Sequence, residues 1–233
     1  MIDPIKVITT VAMRGAFEKL VPEFTKATGW KVIFEFAPPQ PAAQRIRDGE
    51  TADIVISTPE SIDGLIERGL IAPGSNRILA SMIMGLAVGI NEAKPDIATV
   101  DQFKQALLDA KSIIHANPET GSPSAAHFLK IVAQLGIADE IKRKTIVRSG
   151  VVAHAVASGE CAMAVQQLAE LMLVEDVCVL GPFPAELQNI MPLSAGIHAK
   201  STKMRPAKAL MDFVGSPQAK AVIAESGLLI VNS

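Results

Sequence analysis

Tyrosine is absent from the 233 residues, Trp30 is the only tryptophan, and aromatic residues make up 4% of the chain. Aromatic cages that hold sugars or quaternary amines need rings that this composition does not supply. Cysteine is equally scarce. Cys161 and Cys178 fit neither a zinc spacing nor a CxxC redox pair, and each lies in an apolar run. Both are therefore expected as buried thiols, with a disulfide between them as the alternative. An excess of one charge is also missing. The 22 Lys+Arg against 24 Asp+Glu give a net charge of -2, without the basic cluster that neutralises a phosphate backbone, so nucleic acid is not an expected partner. The longest nearly uncharged run, Ile78 to Ile90, is shorter than the ~20 residues of a membrane-spanning helix.

Catalytic signatures are missing too. No GxSxG elbow, P-loop, dinucleotide fingerprint or HExxH occurs, and the four histidines lack metal-ligand spacing. No metal or cofactor is expected. Heptads and internal repeats are absent as well. The chain passes from Met1-Ile2-Asp3-Pro4 into an apolar strand pattern with no secretory leader. It is expected to be periplasmic if a leader has been removed, and cytoplasmic otherwise.

What is present is a globular composition, 49% hydrophobic and 20% charged, long enough to bury a core without disulfide staples. Short apolar runs alternate with stretches of helical period, the pattern of parallel strands covered by helices. The fold class is α/β. Strands are expected at 6–10, 31–36 and 53–57, and helices at 15–28, 40–48 and 61–68, with Gly29 and Gly69 closing the first and last. Residues 77–90 form a long β-type run containing Gly85 and Gly89, as expected of a strand that leaves one sheet and enters another. The second block reads as a helix at 100–110 capped by Thr99, strands at 112–116, 145–148, 161–166 and 177–180, and helices between them. An extended stretch at 189–198 carries the chain back to two closing helices, 206–214 and 217–226. Two chain crossovers imply two lobes, 1–82 with 195–233 and 83–194, and a ligand cleft at their boundary.

Four strand-to-helix turns are expected to line that cleft: 11–15, 37–41, 119–125 and 149–151. Unpaired amides and the helix dipole make such turns suitable for an anion. Ser122, Ser124 and Ser149 add hydroxyls, each equally readable as a plain helix cap. Arg14 and Arg148 bring guanidinium forks that match a carboxylate, or they serve as surface ion pairs.

The order of elements is carried by "VITTVAMRGAFEKLVPEFTKATGWKVIFEF", "RIRDGETADIVISTPESIDGLIERGLI", "ANPETGSPSAAHFLKIVAQLG" and "MDFVGSPQAKAVIAESGL". It resembles the type II periplasmic binding proteins over essentially the whole chain, and is similar to the molybdate-binding proteins of ABC importers. The "GxxADIxIS" stretch at Gly49 to Ser57 is the most specific part. The resemblance implies a two-lobed clamshell acting as a monomer with an importer permease. In that family the oxyanion is held by a serine after the first strand, another after the second, two main-chain amides and a tyrosine. Here the first position falls on Ala12, between Thr10 and Arg14, and the second falls at Pro39, where Gln40 is the nearest polar side chain. The amides fall near Ala125 and Val151, and the tyrosine position falls on Gln166. Replacing hydroxyls by Arg and Gln points to a larger organic carboxylate in place of molybdate or tungstate.

Aconitate isomerases share this scaffold, which implies an enzymatic alternative. A base would remove a proton beside a carboxylate and a proton would return at another carbon. His127 and His154, each early in a helix, are the candidate bases for that case, against the reading that each is a plain helix-face histidine. His115 and His198 lie in strand-like contexts and read as structural.

Overall fold

The first strand, β1 (Ile5–Thr9), alternates with its flanking helix as the apolar pattern requires. Ala16, Phe17, Leu20 and Phe24 then recur on one face of α1 (Arg14–Thr28), all buried, and Gly29 ends the helix at φ 77° by donating its N–H to the Thr25 carbonyl. The computed structural model describes residues 3–230. Next come β2 (Val32–Phe36), α2 (Pro39–Arg47), β3 (Ile54–Ser57), α3 (Pro59–Glu67) and β4 (Arg77–Met82). The long 77–90 run does not continue as one strand: it breaks at Ile83 and resumes as β5 (Met84–Gly89) in a different sheet.

The chain continues through α4 (Val100–Asp109), β6 (Ile113–Ala116), α5 (Pro123–Gln134) and α6 (Ala138–Arg143). It then forms β7 (Thr145–Arg148), α7 (Ala153–Ala157), β8 (Met163–Gln167), α8 (Leu168–Leu171) and β9 (Val177–Pro182). Thr99 caps α4 through a reciprocal box with Gln102, which is the sequence-level signal realised in full. The return strand is β10 (Met191–Ile197), followed by α9 (Met204–Val214) and α10 (Pro217–Glu225).

Two units result, Met1–Ser81 with Met191–Ser233, and Met82–Ile190. The first is built on a five-stranded sheet of order β2-β1-β3-β10-β4, the second on one of order β7-β6-β8-β5-β9. The expectation of parallel strands is corrected in both. β1 runs parallel to β2 and β3, and β6 runs parallel to β7 and β8. β10 is antiparallel to β3, and β5 is antiparallel to β8 and β9. The parallel strands are joined through helices, whereas β5 and β10 each enter their sheet from the other unit. No crossover helix constrains their direction.

Asp53 lies buried in the "ADIVIS" segment. Its carboxylate accepts from the Lys6 amide at 2.8 Å, the Ser201 hydroxyl at 2.6 Å and the Lys203 ammonium at 3.2 Å. Burial alone would raise its pKa, but these three donors outweigh it and hold the carboxyl below its ordinary value. Cys161 is buried, Cys178 is half-buried, and both are free thiols.

Candidate functional site

In the first unit the parallel strands β2, β1 and β3 present their carboxyl ends at one sheet edge, where open α/β sheets receive ligands. Thr10 and Ala12 are buried in a single 3-10 turn after β1, and the Ala12 amide is already given to Thr10 Oγ1 at 3.4 Å. Arg14 opens α1. It is exposed, its Nε donates to Glu18 at 2.8 Å, and its guanidinium carbon lies 5.9 Å from the ring centre of Phe36 at the end of β2. That pair leaves both terminal nitrogens of Arg14 with donors to give. The α2 turn is poorer: Pro39 and Pro41 have no N–H, Gln40 is exposed, and Ser57 Oγ donates to the Pro39 carbonyl at 2.7 Å.

In the second unit the carboxyl ends of β7, β6 and β8 also share one edge. The β6 end leads through Asn117 and Gly121 into α5, whose Ser122 makes no capping bond to the helix. Ser122 and Ser124 instead share one hydrogen bond between their hydroxyls at 2.9 Å. Ser124 and Ala125 are buried, and as first-turn residues their amides have no partner among the described residues. Two orphan donors and two hydroxyls at the positive end of a twelve-residue helix suit an anion.

The other turns are differently committed. Arg148 donates both terminal nitrogens to Glu160, one bond being 2.8 Å, so its fork is occupied within its own unit. Gln166 pins the β7–α7 turn: its Nε2 donates to the Gly150 carbonyl at 2.8 Å and its Oε1 accepts from the Val152 amide at 2.9 Å. It therefore positions the turn containing Ser149 and Val151. Ser149 is exposed and Val151 half-buried.

Of the histidines, His127 Nε2 donates to the Leu187 carbonyl at 2.8 Å, while His154 is exposed on α7. His115 is buried against Phe128, and burial lowers its pKa despite its bond to the Ala116 carbonyl. His198 accepts the Lys200 amide, and burial lowers its pKa too, followed by the nearby Lys200 charge. Two groups at the β8 end went unnoticed by sequence reasoning. Glu170, on α8, has its carboxyl pushed up to about 7 by burial. Gln167, the last residue of β8, is 4% exposed and its Oε1 has no hydrogen-bond partner. The one signal was a polar pair closing an otherwise apolar strand. Among the described residues no group of His, Cys, Asp and Glu could hold a metal ion. No helix there is long and apolar enough to cross a membrane.

Two α/β units, each built on a mixed five-stranded sheet, have the fold of the type II periplasmic binding proteins. The family model for bacterial extracellular solute-binding proteins matches residues 5–229, and the chain belongs to that family. It is 28% identical to an aconitate isomerase from a Pseudomonas species, over 97% of this chain and 88% of that one. It is 27% identical to a molybdate-binding protein of Azotobacter vinelandii, over 96% of this chain and 88% of that one. The solved periplasmic molybdate-binding protein of Azotobacter vinelandii superposes with a TM-score of 0.78 at 22% identity, covering 98% of this chain and all of that one (100%).

Proposed function

We propose that this solute-binding protein takes up a small organic carboxylate, using donors at its strand ends, and delivers it to an ABC-type importer. The observation that carries the reading is the α5 N-terminus, where the Ser124 and Ala125 amides have no partner among the described residues and the Ser122 and Ser124 hydroxyls are bonded only to each other. Arg14 adds a guanidinium with two terminal nitrogens to spare. The family's extracellular character supports a periplasmic setting. Molybdate is disfavoured because the two serine positions and the tyrosine position of molybdate binders fall on Ala12, Pro39 and Gln166. The first two bring no side-chain donor, and the Gln166 carboxamide is held at both its oxygen and its nitrogen by its own turn. A thermal-shift panel of molybdate, sulfate, citrate and aconitate tests the reading. Carboxylates should raise Tm through mass action, by about 2.7 kcal/mol of added stability at a hundredfold excess over Kd. A shift with molybdate or sulfate alone refutes it.

A second reading is favoured by the aconitate isomerase relative and by Glu170 on α8, the helix that follows β8, whose carboxyl burial pushes up to about 7. A group titrating near 7 can both take a proton from carbon and return one. Following cis-aconitate for formation of its trans isomer separates the two readings, because a receptor binds without turnover.

A further inference from the structure

Gln166 and Gln167 are neighbours on β8, so their side chains leave opposite faces of the sheet. Gln166 faces α7, as its bonds to Gly150 and Val152 show. Gln167 therefore faces the α5 side, the side of Met163 and Val165, which pack in one core cluster with Phe128 of α5. There it lies at the strand's carboxyl end, where α5 starts. Three other polar side chains near that face have partners. His115 donates to Ala116, His127 donates to Leu187, and the Gln188 carboxamide bonds both the amide and the carbonyl of Met84. Gln167 is left over among the described residues of that side: it is 4% exposed, and its Oε1 has no partner. A buried carbonyl oxygen is retained without a partner only at a cost, which a ligand donor removes.

We propose that Gln167 Oε1 accepts a hydrogen bond from a hydroxyl of the ligand whose carboxylate is held by the α5 N-terminus, so that the site selects hydroxy acids. This rests on the carboxylate reading above and narrows it. A fully ionised tetrahedral oxyanion has no proton to offer an acceptor, and a bare carboxylate oxygen set against Oε1 is repelled by it. A carbon-bound hydroxyl beside a carboxylate supplies both what the helix end needs and what Gln167 lacks.

The test deletes the hydroxyl from the ligand first and the acceptor from the protein second. Binding of malate against succinate, and of citrate against tricarballylate, is measured by calorimetry on the full chain and on Gln167→Met. The wild-type chain should bind the hydroxylated member of at least one pair roughly tenfold more tightly. Gln167→Met should erase that preference while leaving the deoxy acids within about twofold. Equal binding within both pairs by the wild-type chain overturns the inference without any variant, so it stands or falls even if Gln167→Met fails to fold. A preference that survives in Gln167→Met overturns it as well. So does equal weakening of both members, which would put the amide N–H on the anion instead. Failure of every acid to bind overturns the carboxylate reading itself and this inference with it, whereas binding without hydroxyl preference overturns this inference alone.

Discussion

Two arginines that look interchangeable in the sequence differ in what they can still donate. Arg14 gives one nitrogen to Glu18 and keeps two, whereas Arg148 has both terminal nitrogens locked in a fork with Glu160. Arg14→Ala should therefore weaken carboxylate binding by about 1.5 to 3 kcal/mol, as for a charged hydrogen bond, and Arg148→Ala by less than about 0.5 kcal/mol. Calorimetry on the two variants checks the asymmetry, and equal losses would contradict it. Glu170 makes a prediction of the opposite kind, about pH. Its folded pKa of about 7 lies above the ordinary carboxylate value because burial penalises the charged form. The folded chain therefore holds this proton longer than the unfolded one. The penalty is absent below about pH 4 and complete above about pH 7, so stability declines as pH rises through that window. Glu170→Gln should flatten the decline and be the more stable protein at pH 8, by up to about 3 kcal/mol. Urea denaturation at pH 5 and pH 8 reads the difference. Arg148 took the surface ion pair that the sequence left open, but its partner Glu160 was not legible there, and neither was the environment that raises the Glu170 carboxyl. Both depend on what the fold brings near the side chain, and residue type alone does not encode that.

At the scale of elements, the amphipathic helices were legible because burial follows period. The expected helix at 15–28 is α1, and the one at 206–214 lies within α9, whose Ala207, Leu210, Met211 and Val214 form its buried face. α6 was not legible. It has six residues, only Ile141 is buried, and a single apolar contact gives no period to read. Strand direction escaped for a different reason: an apolar run buried on both faces looks the same in a parallel or an antiparallel setting. The β7–α7 turn shows how one element depends on another. The Gln166 carboxamide, projecting from β8, supplies the partners for Gly150 and Val152, and Gly150 itself sits at φ 86°. Gln166→Leu should cost about 1 to 2 kcal/mol of stability, since the buried Val152 amide is left unpaired while the exposed Gly150 carbonyl turns to water. Hydrogen exchange should quicken at residues 149–153 before the global transition. Unchanged exchange there would show that the turn holds without the bridge.

The whole molecule visits its first unit twice, leaving after β4 and returning through β10, so that unit must be closed by contacts between distant parts of the chain. Asp53 is the polar centre of that closure. It ties the start of β1, through the Lys6 amide, to Ser201 and Lys203 in the segment that follows β10. The same residue's carbonyl accepts from the His198 amide at 3.0 Å. Removing the carboxylate strands a half-buried ammonium and two donors in one place, which costs about 3 to 5 kcal/mol when an ion pair is well shielded and less where water reaches it. Because the Lys203 side chain is 26% exposed against 7% for Asp53, the loss for Asp53→Ala should fall at the lower end, about 3 kcal/mol. The pH dependence has a definite sign. Asp53 is held below its ordinary value, so its contribution is present above the unfolded carboxylate pKa and disappears as pH falls through the folded one. Asp53→Ala should thus lose its deficit relative to the wild-type chain in strong acid. Hydrogen exchange locates the effect. Protection should fall in β1, β10 and residues 198–203, while β6 and β8, which belong to the other unit, keep theirs, because no hydrogen bond of Asp53 reaches them. Equal loss in both units would show that the chain unfolds as one body and that Asp53 guards more than its own half.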